Sequence, residues 1–143
     1  MLKSVHPLLN GELLRTLSDM GHGDEIVIAD AHFPSMRLSN TVHRYDGVSG
    51  GKMLEVVLTH FPLDMYVDSA AFRMQVVEDP KCVPEICAKY QNLIDQFDPG
   101  HSLAVLPRFD FYERARNAYA IIATGERAQY ANIILKKGIV RHD

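Results

Sequence analysis

The chain has 143 residues, 47% of them hydrophobic and 23% charged, with a formal net charge of −3. That length suits one domain with its own core, taken as residues 1–143. The near-balanced charge gives no electrostatic reason to expect nucleic acid or an anionic membrane surface as partner. The longest apolar runs, such as AYAIIA at 118–123, are too short to cross a bilayer, and MLKSVHPLL lacks the apolar centre of a signal peptide. A cytoplasmic location is therefore expected.

Cys82 and Cys87 are separated by four residues, a spacing of neither a redox pair nor a zinc half-site. The seven histidines are scattered, with no HxxxH or HExxH among them. Neither metal nor cofactor is expected.

Asn10 is a suitable N-cap for a first helix that carries Leu13, Leu14, Leu17 and Met20 on one face and stops at Gly21. Residues 25–30 then form a short β-branched run between Gly23 and Pro34, the pattern of a central strand covered on both faces. A second helix is expected over 51–61, ended by Pro62. Residues 70–77 alternate, with Phe72, Met74 and Val76 on one side and Arg73 and Gln75 on the other.

Pro84 suits the first turn of a third helix with the stripe Ile86, Cys87, Tyr90, Leu93, Ile94 and Phe97, closed by Asp98-Pro99-Gly100. A strand at 102–106 follows. Asp110 and Glu113 have capping-box spacing for a brief helix that packs Phe111, Ala115 and Ala118. Two apolar strands, 119–124 and 131–135, close the pattern, joined through GERAQY. Strands alternating with helices predict an α/β fold of three layers, α/β/α, around a largely parallel mixed sheet.

In open parallel sheets ligands bind where the strands' carboxyl ends meet helix amino termini. Asp30 falls at that end of the first strand, although an acid there is commonly a turn residue. His22 follows the helix-ending Gly21, where a histidine can simply favour the negative end of the dipole. Asp24 and Glu25 read as solvated or structurally hydrogen-bonded acids.

Four blocks in order, GHGDEIVIADAHFP (21–34), RFDFYERA (108–115), ATGE (123–126) and YANIILKKG (130–138), resemble the ribose pyranase and fucose mutarotase family over nearly the whole chain. GHGDEI and FYERA bring the similarity closest to the fucose branch. Ala131 stands where that branch typically has Gly and matches the ribose branch instead. The resemblance implies a ribose-pyranase-like fold and a cofactor-free isomerase that interconverts sugar anomers, or ring forms, through ring opening. L-Fucose is the expected substrate, and D-ribose pyranase activity is the nearest alternative.

The resemblance also implies roles. His22 matches the catalytic histidine; imidazole suits proton transfer because both its protonation states are accessible near neutral pH. Asp30, Arg108, Tyr112, Tyr130 and Asn132 match sugar-contacting positions, with Asp64 in PLDMY a further contact of the fucose branch. His22 and Asp30 are expected together at one edge of the central sheet, where Asp30 can also tune the imidazole. Glu113 and Arg114 read as capping and surface charges, and Lys136 and Lys137 as a solvated turn. The resemblance further implies assembly as rings, commonly pentamers paired into decamers, with the Tyr-x-Asn segment reaching a neighbour's pocket so that the pocket is completed on assembly. Ile133, Ile134, Leu135, Ile139 and Val140 are numerous enough for a core strand or a contact surface. Two other classes compete: a non-catalytic monosaccharide-binding protein, and a metal-dependent hydrolase built on His22, Asp24 and Asp30 or His32.

Overall fold

The computed structural model describes residues 1–142. Their order is α1 (Gly11–Asp19), β1 (Glu25–Ala29), α2 (Ser35–Leu38), β2 (Val42–Tyr45), α3 (Gly50–Leu58), β3 (Ala71–Met74), α4 (Glu85–Phe97), β4 (Leu103–Leu106), α5 (Arg108–Arg116), β5 (Ala120–Thr124) and β6 (Ile133–Lys136). One six-stranded sheet runs β2-β5-β1-β6-β3-β4. The pairs β1/β5, β2/β5 and β3/β4 are parallel, whereas β6 is antiparallel to both β1 and β3. Five strands thus share one direction and β6 is wedged, reversed, between β1 and β3.

Alternate residues of the buried strands feed two cores. Ile26 and Ile28 of β1, with Ile122, Ile133 and Leu135, meet α1, α3 and α4 on one face. Val27, Ala29, Phe72, Ile121 and Ile134 meet α2 and α5 on the other. This gives the three expected layers. At about 25 cal/mol per Å² of apolar surface, sides chains the size of isoleucine or leucine each contribute roughly 2 kcal/mol to holding them together.

Local signals explain most helix ends. Asn10 accepts the Leu13 N–H at 2.9 Å, and Ser49 does the same for Lys52 at 3.2 Å. α5 begins at Arg108 behind Pro107, so Asp110 is not its cap; it sits in the first turn, where a negative charge favours the dipole. Two short elements, α2 and β2, go beyond the sequence reading.

Three charged residues also depart from it. Arg73 is buried, because β3 is covered on both faces; its guanidinium donates to the carbonyls of Met74 and Cys82, both at 3.4 Å. Arg114 is no loose surface charge: it grips both carboxylate oxygens of Glu25 at 2.8–3.0 Å and lies 3.8 Å from the centre of the Phe72 ring. Lys137 does not belong to a solvated turn. Its ammonium donates to Leu17 O at 2.6 Å and Met20 O at 2.5 Å, closing the carboxyl end of α1. Of the apolar carboxyl-terminal residues, Ile133, Ile134 and Leu135 are core, while Ile139 and Val140 are exposed.

Candidate functional site

The strand directions decide where polar groups gather. The carboxyl ends of β1, β3 and β4 lie beside the start of β6, so Asp30, Arg108 and Asn132 arrive at one place from distant parts of the chain. Asp30 and Asn132 are both buried and hold each other twice. Asn132 Oδ1 accepts the Asp30 backbone N–H at 2.7 Å, and its Nδ2 donates to Asp30 Oδ2 at 3.0 Å. The first bond fixes which way the amide faces. The other Asp30 oxygen accepts the His32 N–H at 3.0 Å, an Asx turn that bends the chain away from β1.

Asp30, Arg108, Tyr112, Tyr130 and Asn132 all line one cavity of about 250 Å³. Phe33 and Met74 supply an apolar wall and His32 and Gln129 additional polar edges. This volume falls just below the roughly 300–1,000 Å³ typical for drug-sized ligands and suits one sugar ring. A carboxylate, an amide, a guanidinium and two phenols can both accept from and donate to a ring of hydroxyls, while the aromatic faces take its C–H side. A larger hollow of about 390 Å³ shares Asp30 and Phe33 but runs toward Arg37 and Arg44. It contains none of the other four sugar-contact candidates.

Ala131 is fully buried within the α1/α3/α4 core and is not among the cavity's walls. Its methyl group thus faces away from the space that Tyr130 and Asn132 address.

His22 does not join this cluster within one chain. It precedes β1 whereas Asp30 follows it, which corrects the expectation that the two share a sheet edge. Its partner is Asp64, brought alongside by the bridge between Leu63 and Lys137. His22 Nε2 lies 3.0 Å from Asp64 Oδ1, which also accepts the Tyr66 N–H at 3.0 Å. Because a carboxylate only accepts, Nε2 carries a proton, and in the neutral ring Nδ1 is the acceptor. The histidine side chain is 46% exposed and the aspartate's 3%, so a buried carboxylate steadies an accessible imidazole.

The Tyr66 N–H, and then His22, hold the Asp64 carboxyl below its ordinary value despite its desolvation. Asp64 therefore belongs beside His22 and not among the Asp30 contacts. Asp24 does not approach as a metal ligand either, its carboxylate accepting the Gly21 N–H at 2.7 Å.

Sequence reasoning missed Tyr66, whose ring centre is 5.8 Å from that of His22, together with Met74, His32 and Gln129 at the cavity. The stretch PLDMY held the clue to Tyr66: an aspartate two residues before it makes an Asx turn that brings its backbone to the same oxygen as His22.

Comparison with known proteins agrees with this architecture. An L-fucose mutarotase of Haemophilus influenzae strain PittGG is 49% identical over 142 residues, covering 97% of each chain. The crystal structure of the fucose mutarotase of Streptococcus pneumoniae in complex with L-fucose superposes with a TM-score of 0.91 at 46% identity, covering 98% of this chain and 100% of that one. Bacillus subtilis RbsD complexed with D-ribose gives 0.75 at 26% identity, over 99% and 100%. Residues 3–140 match the RbsD / FucU transport protein family, and the chain belongs to that family.

Proposed function

We propose that the protein is a cofactor-free mutarotase that exchanges the α and β anomers of L-fucose by opening and reclosing the sugar ring. The observation that carries this reading is the convergence of Asp30, Arg108, Tyr112, Tyr130 and Asn132 on one cavity of sugar size. The likeness to mutarotases at 46–49% identity supports fucose over ribose, which is bound by the relative at 26%. Ala131 turns its methyl group into the core and makes no side-chain contact with this cavity.

In this reading the sugar's hydroxyls are held by Asp30, Asn132 and Arg108, and its apolar face lies on the tyrosine rings. His22 Nδ1 takes the proton of the anomeric hydroxyl. The bond between C1 and the ring oxygen breaks, its electron pair passes to that oxygen, and C1 becomes an aldehyde carbon. The imidazolium, steadied by Asp64, returns the proton to the former ring oxygen. Rotation about C1–C2 and the reverse sequence give the other anomer, with no electron or group transferred to the enzyme.

His22 and Asp30 are held at opposite ends of β1, so the reading requires two copies, each supplying one half of the site. Exposed apolar residues border both halves. Tyr66, its ring 5.8 Å from that of His22, and the neighbouring Met65 are exposed at one half, and Val77 and Phe109 are exposed beside Arg108 at the other. Two different patches meeting head to tail generate a ring where the rotation between copies closes, in keeping with the proposed pentamers paired into decamers. No described helix is long and apolar enough to span a membrane, and two free thiols suit the reducing cytoplasm, the proposed location.

Saturation-transfer NMR on the equilibrium anomer mixture tests the reading, since it reads exchange without net reaction. Wild type is expected to speed exchange of L-fucose most among fucose, ribose, galactose and glucose. A protein that perturbs sugar resonances without speeding exchange is a binder, and the mutarotase reading is then wrong. Preference for ribose would favour the pyranase alternative.

A further inference from the structure

The segment that carries Tyr130 and Asn132 to the cavity is held in an unfavourable backbone conformation. Tyr130 has φ 59°, in the left-handed region that residues with a Cβ avoid. Such a conformation persists only where surrounding contacts over-determine it. On the cavity side, Tyr130 Oη accepts the Val77 N–H at 3.3 Å and Asn132 is tied to Asp30. These bonds involve groups that a sugar would also engage.

Behind the segment, the contacts come from α4. The Tyr90 hydroxyl, on a fully buried side chain, donates to Ala131 O at 2.9 Å. Cys87 Sγ approaches Tyr130 O at 3.5 Å. Burial pushes the Tyr90 phenol far above its ordinary range, so it remains a donor throughout the working pH range. Room for this hydroxyl comes from Gly50, the first residue of α3, where a Cβ would overlap Tyr90 Oη. The same loop reaches back to α3 through Glu126, which accepts the Gly50 N–H at 3.1 Å and the Ala128 N–H at 3.0 Å.

We propose that Tyr90 is a positioning residue for the sugar site, its buried hydroxyl clasping Ala131 O so that the left-handed turn at Tyr130 is preformed before ligand arrives. Tyr90 does not line the cavity and acts only through the Tyr130–Asn132 backbone. Its identity as a sugar positioner rests on the mutarotase reading; the clasp itself does not.

Tyr90→Phe deletes one oxygen, and Gly50→Ala displaces the same oxygen from the opposite side. Ile94→Val, a small deletion in the same helix and core, is the control for general loosening. For L-fucose exchange, both clasp variants are expected to raise KM about tenfold, with kcat changing less than about threefold, because preorganisation aids ground and transition states alike. Their pH profiles should follow wild type.

Hydrogen–deuterium exchange should show faster uptake confined to residues 127–133 in both variants and not in Ile94→Val. The proposal is overturned if KM stays within twofold of wild type, if Ile94→Val raises KM equally, or if uptake over 127–133 is unchanged. Should wild type leave fucose exchange unaccelerated, the mutarotase reading fails and the uptake pattern alone still decides the clasp.

Discussion

His22 and Asp30 stand at opposite ends of β1, a strand of five residues whose length alone is on the order of 16 Å at the usual rise. No side-chain rearrangement closes that gap in a sheet buried on both faces. Each residue has a different local partner: Asp64 for the histidine and Asn132 for the aspartate. In the proposed mechanism the chain therefore presents a proton-transfer half and a sugar-holding half.

The two halves should fail differently. His22→Ala is expected to slow anomer exchange by roughly 10²–10⁴, the usual worth of a positioned acid–base group, with sugar binding largely retained. Asp64→Asn keeps an acceptor for Nε2–H but loses the charge facing the imidazolium, so a loss on the order of tenfold is expected, mostly in kcat. Asp30→Asn should act chiefly on KM. NMR exchange rates measured against fucose concentration separate these, and a kcat for Asp64→Asn equal to wild type would remove the aspartate from the proton step.

Arg114 joins α5 to the start of β1 through a two-pronged bond to Glu25, with its guanidinium over Phe72. The pair is partly shielded, at 31% and 15% side-chain exposure. Arg114→Ala is expected to cost about 2 kcal/mol in urea unfolding, combining charge-assisted hydrogen bonds with cation–π contact. A loss within the roughly 0–1 kcal/mol of an exposed ion pair would show that this joint is dispensable.

Acid should weaken the fold through His43 on β2. Its Nε2 meets Thr16 Oγ1 of α1 at 2.8 Å, and desolvation lowers its pKa from 6.5, against the opposing pull of Glu12. The unfolded chain then takes up the proton first. Stability from the neutral ring is complete above pH 6.5 and falls as pH drops below it. Thermal unfolding followed between about pH 7 and 5 should show Tm declining, with a shallower decline in His43→Gln. Equal slopes in both proteins would exclude His43 as a cause.

Much of this was legible in the residues. The β-branched run at 25–30 announced a buried central strand because both its faces meet helices, and Asn10 announced a helix start because its side chain satisfies an orphan N–H. What the pattern hid has physical causes. VHRY of β2 is a half-buried strand without a clean apolar period, and α2 is a single turn, too short to show one. The reversal of β6 leaves no trace in periodicity, although residues 125–132 contain no crossover helix, which parallel neighbours require. The site's residue types were readable through family likeness. A strand at 25–30 already separates His22 from Asp30, but the arrival of Asp64 at one end and Asn132 at the other was hidden, because it follows from the pairing of β6 and of Leu63 with Lys137.

The most direct test of a site completed between copies is subunit mixing. His22→Ala, impaired in kcat, and Asp30→Asn, impaired chiefly in KM, are each nearly silent at fucose far below KM, and at that concentration the two are compared after being unfolded together and reassembled at equal amounts. Random head-to-tail assembly puts an intact His22 against an intact Asp30 at roughly a quarter of the interfaces. Recovery of about a quarter of wild-type fucose exchange is the expected result, and a mixture as inactive as its parents would contradict the account.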